Sequence, residues 1–298
     1  MTAPVDRPLA TRFTVGGLVS WTLDAGLQRL DGGAMFGVVP KPLWSRRIAP
    51  DERNRIPLAL RCLLVEHPDG LVLVDSGIGN KEDGKFTGIY GVENAGTAGP
   101  TRLEDALLAV GYRPEDVRWV VNTHLHFDHA GGNTALRPDG SVALAFPEAI
   151  YVMQRRELDF AAHPNERTQA SYLPPNFAPV AASGRLRLVD GETEIVPGIS
   201  FLPTPGHVPF HQSVVVRDGG ETACFLADLV PTAAHLPAAW IMGYDLEPLV
   251  TLETKKRVLT QAAREGWQLV FEHDPERARV RIAADPTHGY DPASAVAL

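Results

Sequence analysis

Apolar positions along this chain fall mostly into short runs of strand length, broken by Gly, Pro and Asp turns. Residues 12–22 alternate, with Phe13, Val15, Leu18, Val19 and Trp21, and predict a first strand. Residues 58–66 and 71–75 predict two more, joined by the turn His67-Pro68-Asp69-Gly70, where His67 reads as solvated. Further strands are predicted at 117–121, 142–146, 150–153, 186–189, 194–196, 199–202, 212–216, 221–226 and 269–271, with a short edge at 280–282. Helical spacing is confined to three stretches. At 101–110, Thr101 caps, Glu104 stands at the third helical position, and Leu103, Ala106, Leu107 and Val110 share a face. A second helix covers 154–162, ending at His163, and the longest covers 246–265 with Leu249, Leu252, Lys256, Leu259 and Ala263 on one face. Residues 166–180, rich in Pro and aromatics, predict short broken helices over a sheet.

Two stretches fit neither period. Residues 31–44 mix glycines with Met35, Phe36 and Trp44, and read either as a core-covering loop or as an apolar flap at the mouth of a site. Residues 81–100 are rich in glycine and charge and read as a surface loop without chemistry of its own. No linker or low-complexity segment interrupts the pattern. Both halves contain paired strands followed by a helix, so the chain reads as one α/β domain over residues 1–298 with a duplicated plan.

The polar residues that end the apolar runs change the picture. Directly after the buried run 117–121 comes His124-Leu125-His126-Phe127-Asp128-His129, three of the chain's 10 histidines and a carboxylate within one short window. Imidazole and carboxylate are ordinary ligands of zinc and similar divalent ions, and an open sheet presents its site at the carboxyl ends of strands. Asp75, His207, Asp228 and His273 likewise follow predicted strands. Alone, each is more often a satisfied polar residue; together with the 124–129 cluster they supply enough ligands for two ions.

Composition excludes several classes of partner. Hydrophobic residues make up 44% and charged residues 21%, as in ordinary globular proteins. A net charge of −8 gives no footprint for nucleic acid or for an anionic membrane, and suits a neutral or hydrophobic small molecule. The two cysteines, Cys62 and Cys224, lie in apolar runs and predict buried thiols, not a disulfide. Residues 1–8 contain no apolar leader segment and no stretch has the length of a membrane span, so the cytoplasm is the expected location.

Thr123-His124-Leu125-His126-Phe127-Asp128-His129, Thr204-Pro205-Gly206-His207, Asp228 and His273 resemble, in type and order, the metal motifs of the metallo-β-lactamase fold superfamily. The resemblance implies a four-layer αβ/βα sandwich with two facing mixed sheets and outer helices. It implies that His124, His126 and His207 hold one ion, that Asp128, His129 and His273 hold a second, and that Asp228 bridges them. Asp75 resembles the carboxylate that supports the 124–129 loop from behind, and His211 the second histidine of the family's Thr-Pro-Gly-His…His pattern. His211 reads equally well as a core histidine of its strand. Two divalent ions are expected, zinc first among zinc, manganese, iron and cobalt.

Position 126 is His where the superfamily's di-iron oxidoreductases carry Glu, which favours hydrolysis. The segments 228–232, 240–245 and 271–275 look most like the quorum-quenching lactonase and methyl parathion hydrolase branch. The expected activity is therefore opening of lactones of the N-acyl homoserine lactone type, or of related esters, by a hydroxide held between the ions. A phosphotriesterase on the same site is the near alternative, and an iron-dependent oxidoreductase the distant one. Asp128 is the candidate proton carrier. Many lactonases of this branch place a Tyr three residues after the bridging Asp; here that position is Pro231, and Tyr244 is the candidate replacement. Met35, Phe36, Trp44, Trp240 and Met242 are the candidate substrate wall. A homodimer is implied by the resemblance alone.

Overall fold

The computed structural model describes residues 7–283, 290 and 295–298; most of the amino-terminal segment read above, residues 1–6, lies outside them. Strands β1 (Ala10–Val15), β2 (Leu18–Asp31), β3 (Arg55–Glu66), β4 (Leu71–Val74) and β5 (Val117–Val121) begin a first mixed sheet. A small hairpin of β6 (Thr134–Leu136) and β7 (Val142–Leu144) follows, and β8 (Ile150–Gln154) and β9 (Leu186–Val189) complete the first sheet in the order β1-β2-β3-β4-β5-β8-β9. The second sheet is formed by β10 (Glu194–Val196), β11 (Ile199–Pro203), β12 (Gln212–Asp218), β13 (Glu221–Phe225), β14 (Gln268–Val270), β15 (Arg279–Arg281) and β16 (Val296–Ala297), neighbouring one another in chain order. The helices are α1 (Gly32–Phe36), α2 (Lys41–Trp44), α3 (Gly84–Tyr90), α4 (Arg102–Ala109), α5 (Phe127–Ala130), α6 (Arg155–Ala162), α7 (Ala178–Ala182) and α8 (Pro248–Glu265).

Side-chain alternation along these strands builds the layers. Leu63 and Val65 of β3 and Val72 and Val74 of β4 point inward, against Ile199 and Phe201 of β11 and Ala223 and Phe225 of β13. Leu60, Cys62 and Leu64 point outward and pack under Leu103, Ala106 and Leu107 of α4. On the far side Val215, Cys224 and Leu269 pack under Val258, Leu259 and Ala262 of α8. The result is the expected four-layer αβ/βα sandwich. Both cysteines are buried free thiols, in opposite outer layers.

Several expectations are corrected. The run 12–22 is not one strand: it turns at Gly16 and Gly17, with Val15 paired to Leu18. Residues 31–44 contain two short helices, the first capped by Asp31, whose side chain accepts from the Ala34 N–H. Residues 81–100 contain α3, capped by Asp83. His67 is not solvated: its Nε2 lies 3.0 Å from the Pro197 carbonyl, linking turns of the two sheets. On α8 the buried stripe is Thr251, Thr254, Lys255, Val258, Leu259 and Ala262, whereas Leu249 is exposed. A lysine can face inward there because its Nζ donates to the carbonyls of His235, Pro237 and Trp240 at 2.7, 3.0 and 2.8 Å.

The turn after α5 lies directly on the end of β4. A Cβ at Gly132 would stand 2.1 Å from the Ser76 carbonyl oxygen, and one at Gly131 2.2 Å from that of Ile78. Both neighbours are backbone and cannot rotate away. Gly132→Ala is therefore expected to destabilise the fold by about 1–3 kcal/mol, the usual cost of overpacking. Urea denaturation measures this, and an unchanged midpoint would contradict the close approach.

Candidate metal centre

Five strands deliver polar residues at one edge of the sandwich. β4 and β5 run parallel, and β13 and β14 run parallel, so their carboxyl ends lie together. Asp75, just past β4, takes a left-handed backbone conformation (φ 55). Its carboxylate accepts from the Thr123 N–H at 2.8 Å and the Thr123 hydroxyl at 2.7 Å, and lies 3.0 Å from His129 Nδ1. One side chain thus fixes both ends of the 124–129 loop, which explains why a strained backbone is held there. The middle of the loop is held from α6: Glu157 accepts from the Leu125 N–H at 3.0 Å and from the Tyr172 hydroxyl at 2.9 Å. The Tyr172 ring in turn lies 4.7 Å from that of His126.

The second sheet supplies the rest. β11 runs into Thr204-Pro205-Gly206-His207, where Gly206 has φ +137 and no room for a Cβ against Thr251. His207 Nδ1 is held by Asp245 at 2.9 Å. Past β13, Ala227 adopts φ 45 immediately before Asp228. His211 Nε2 accepts from the Asp228 N–H at 3.2 Å, which puts its proton on Nδ1, 2.8 Å from the Thr204 hydroxyl. Burial holds His211 down to about 3, consistent with that neutral tautomer. His211 therefore fixes the main chain of Asp228. After β14, His273 Nδ1 lies 2.8 Å from the Ala59 carbonyl.

With their other nitrogens so occupied, the imidazoles face one another. The potential ligand atoms of His124, His126, His207 and Asp228 form one group and those of Asp128, His129 and His273 a second, each within 4.8 Å of one another. Asp228 stands between the groups: Oδ2 is 3.0 Å from His207 Nε2 and 4.0 Å from His124 Nε2, while Oδ1 is 3.1 Å from His273 Nε2. His126 Nδ1 is 3.1 Å from His207 Nε2, and the Nε2 atoms of His129 and His273 are 3.4 Å apart. His124 Nε2 is buried without a hydrogen-bond partner, and Asp228 Oδ1 has only the ion pair with His273. Converging lone pairs and orphaned buried atoms are what a divalent cation satisfies, so this donor set could hold two. Burial works against charge on His207 and His273, but Asp228 outweighs it and raises them to about 10 and about 9. Burial likewise works against charge on Asp228, yet His207 and His129 hold it well below the usual carboxylate range.

All seven expected ligands, with Asp75 and His211 behind them, are therefore brought together. Pattern reading missed four buried residues that position them: Gln28, whose side-chain amide donates to Asp128 Oδ2, together with Glu157, Asp245 and Glu272. Glu272 Oε2 lies 2.9 Å from His129 Nδ1, and burial pushes its carboxyl up to about 8. Asp245 and Glu272 sit inside the 240–245 and 271–275 segments, so adjacency was their available signal; Gln28 and Glu157 stand apart from every ligand motif.

A cavity of about 420 Å³ opens over Asp128, His126, His207 and His273. Met35, Met242 and Tyr244 line it as expected, and Tyr90 of α3 lines it against expectation. Burial raises the Tyr244 phenol to about 12, keeping it a hydrogen-bond donor at neutral pH. Phe36, Trp44 and Trp240 are not among its lining residues. Phe36 stacks on Trp44 at 5.3 Å and on His235 at 4.5 Å, and Trp240 meets Phe36 edge-on at 5.7 Å. These rings form a satellite core behind Met35, because stacking buries their large apolar faces more completely than a cavity wall would.

The profile of the Metallo-beta-lactamase superfamily matches residues 56–290, and the chain belongs to that superfamily. An N-acyl homoserine lactonase from Bacillus sp is 32% identical over 235 residues, covering 75% of this chain and 84% of the relative. A solved structure from Staphylococcus aureus, called a probable metal-dependent hydrolase, is 30% identical with a TM-score of 0.86, covering 96% of this chain and 99% of that one. An N-acyl homoserine lactone hydrolase, solved with N-hexanoyl-L-homoserine at its catalytic metal centre, is 25% identical with a TM-score of 0.64, covering 89% and 95%. The chain is a metal-dependent hydrolase.

Asp245 fixes the orientation of His207 through Nδ1. Asp245→Ala is expected to weaken affinity for a divalent ion by about 10–100-fold, the usual cost of losing such support. Calorimetric titration of the chelated protein with zinc reads this, and unchanged affinity would contradict the orienting role.

Proposed function

We propose that this protein opens N-acyl homoserine lactones or closely related lactones, using two divalent ions held by His124, His126 and His207, by Asp128, His129 and His273, and by Asp228 between them. The observation that carries the reading is the convergence of these side chains around Asp228 at the floor of a mostly apolar cavity. When bound, such a pair of ions supplies Lewis acidity and lowers the pKa of water enough to give a nucleophile near neutral pH. Zinc is the ion assigned first, supported by the imidazole-rich donor set. A cytoplasmic homodimer belongs to the same reading, supported by the superfamily's habits and by two cysteines kept as free thiols.

The chain's own residues orient and move protons. Leu30, Met35, Leu58, Met242 and Leu246 offer an apolar wall for an acyl chain. The relative that carries N-hexanoyl-L-homoserine at its metal centre supports a ligand of that shape. The Tyr244 phenol, on the same cavity, donates to the lactone carbonyl oxygen, taking the part that Pro231 cannot. Asp128 accepts the nucleophile's proton and returns it to the ring oxygen as the acyl C–O bond breaks, leaving a free hydroxyl and a carboxylate on one open-chain product.

The test is proton release from a panel of N-acyl homoserine lactones, simple γ-lactones and an aryl phosphotriester, on zinc- or manganese-loaded protein. Lactone turnover that chelation abolishes and metal restores is expected, with Asp128→Asn lowering kcat by about 10²–10⁴-fold. Turnover of the phosphotriester alone, or silence on every ester in protein holding two ions, would overturn the substrate assignment. Wild-type kcat in Asp128→Asn would remove Asp128 from the mechanism.

A further inference from the structure

Strand β2 carries an irregularity whose effect is felt at Asp128. Asp24 pairs with Arg61 and Leu27 pairs with Ala59, so Ala25 and Gly26 together stand opposite Leu60. The extra residue inverts the facing of everything after it. Before the bulge, Leu23 pairs with Cys62 and shares its outward face; after it, Gln28 pairs with Leu58, two positions on from Leu60 on that same face. In an unbroken strand an odd and an even position could not both face outward, and Gln28 would point toward the other sheet.

The bulge is built, not incidental. Gly26 has φ +122, and a Cβ there would stand 2.6 Å from the Glu93 carbonyl oxygen. Its N–H donates to Asp24 Oδ1 at 2.9 Å, and Asp24 is itself held by Arg7 at 3.3 Å and Arg102 at 3.0 Å. Downstream, the Gln28 amide is fully buried and donates to Asp128 Oδ2. Its carbonyl oxygen has no partner. Leaving a buried acceptor unpaired is costly, and a hydrocarbon side chain would avoid that cost on a strand face that also holds Leu30 and the paired Leu58. Among the described residues, the bond to Asp128 is the one hydrogen bond its side chain makes.

We infer that Gln28, turned outward by the β2 bulge, is a positioning residue for Asp128: it fixes the carboxylate's rotation, occupying Oδ2 and leaving Oδ1 toward His129. Oδ1 lies 3.7 Å from His129 Nε2, and Oδ2 3.8 Å from His273 Nε2. Without the amide, the carboxylate plane is free to turn about Cβ–Cγ, to angles at which its oxygens no longer lie toward His129 and His273 together. This inference rests on the reading of Asp128 as both ligand and proton carrier.

The test is a double-mutant cycle between Gln28→Leu and Asp128→Asn in the two-ion protein, with cobalt absorption as a second readout. Gln28→Leu is expected to lower kcat by about 10–100-fold with little change in KM, and to alter the cobalt bands through Asp128 while two ions stay bound. In the Asp128→Asn background it should cost almost nothing more. Equal losses in both backgrounds, or wild-type kcat with unchanged cobalt bands, would overturn the assignment. Gln28→Met, unbranched and of similar length, carries the same expectations should the leucine variant not fold. The cobalt bands need no substrate, so altered bands in an enzyme silent on lactones would sink the substrate reading and uphold the role of Gln28.

Discussion

The two groups of metal-ligand residues meet at the Asp228 carboxylate. Its two oxygens lie 3.0 Å from His207 and 3.1 Å from His273, one histidine on each side, and His124 and His129 stand just beyond. Such a set cannot be assembled by one sheet. His124, Asp128 and His129 follow β5 of the first sheet, and His207, Asp228 and His273 follow β11, β13 and β14 of the second. The apolar layer between the sheets is therefore also the spacer of the site. Phe201, Phe225, Val72 and Val121 set how near the two edges approach. Exchanging core volume there would displace ligands as well as lower stability.

Behind the ligands, most imidazoles are turned by a partner on the ring nitrogen that faces away. Asp245 serves His207, Asp75 serves His129, the Ala59 carbonyl serves His273, and the Thr123 hydroxyl lies 3.1 Å from His124 Nδ1. Strain collects in the same place. Of the three described non-glycine residues with positive φ, Asp75 and Ala227 flank this machinery. Each is held by bonds on either side, so local cost is offset by the fixed direction of a ligand.

The ligands were legible in the sequence because two independent signals coincide in them: ligand-type chemistry, and position at the end of an apolar run. Asp75, His207, Asp228 and His273 all carry both. The four-layer plan was legible for a related reason, since strands buried on both faces read as continuous apolar runs, as in β3 and β4. What was not legible depends on facing. Gln28 reaches Asp128 only through a bulge, whose extra residue shifts the alternation so that no single period-2 phase covers both Leu23 and Gln28. The buried stripe of α8 was misplaced because Lys255 and Thr251 lie on it: the Lys255 Nζ is satisfied by carbonyls that only the fold brings near, and the Thr251 hydroxyl by the Glu247 carbonyl one turn back. Phe36, Trp44 and Trp240 suited a ligand wall and a core equally well by residue type, and their mutual stacking decided for the core.

The central claim is that these seven side chains hold two ions with Asp228 between them. Anomalous diffraction at the zinc edge, from crystals of zinc-loaded protein, tests it most directly. Two peaks about 3.5–4 Å apart are expected, the spacing usual for two-metal hydrolases, one on each side of Asp228. A single peak, or none at Asp228, would contradict it.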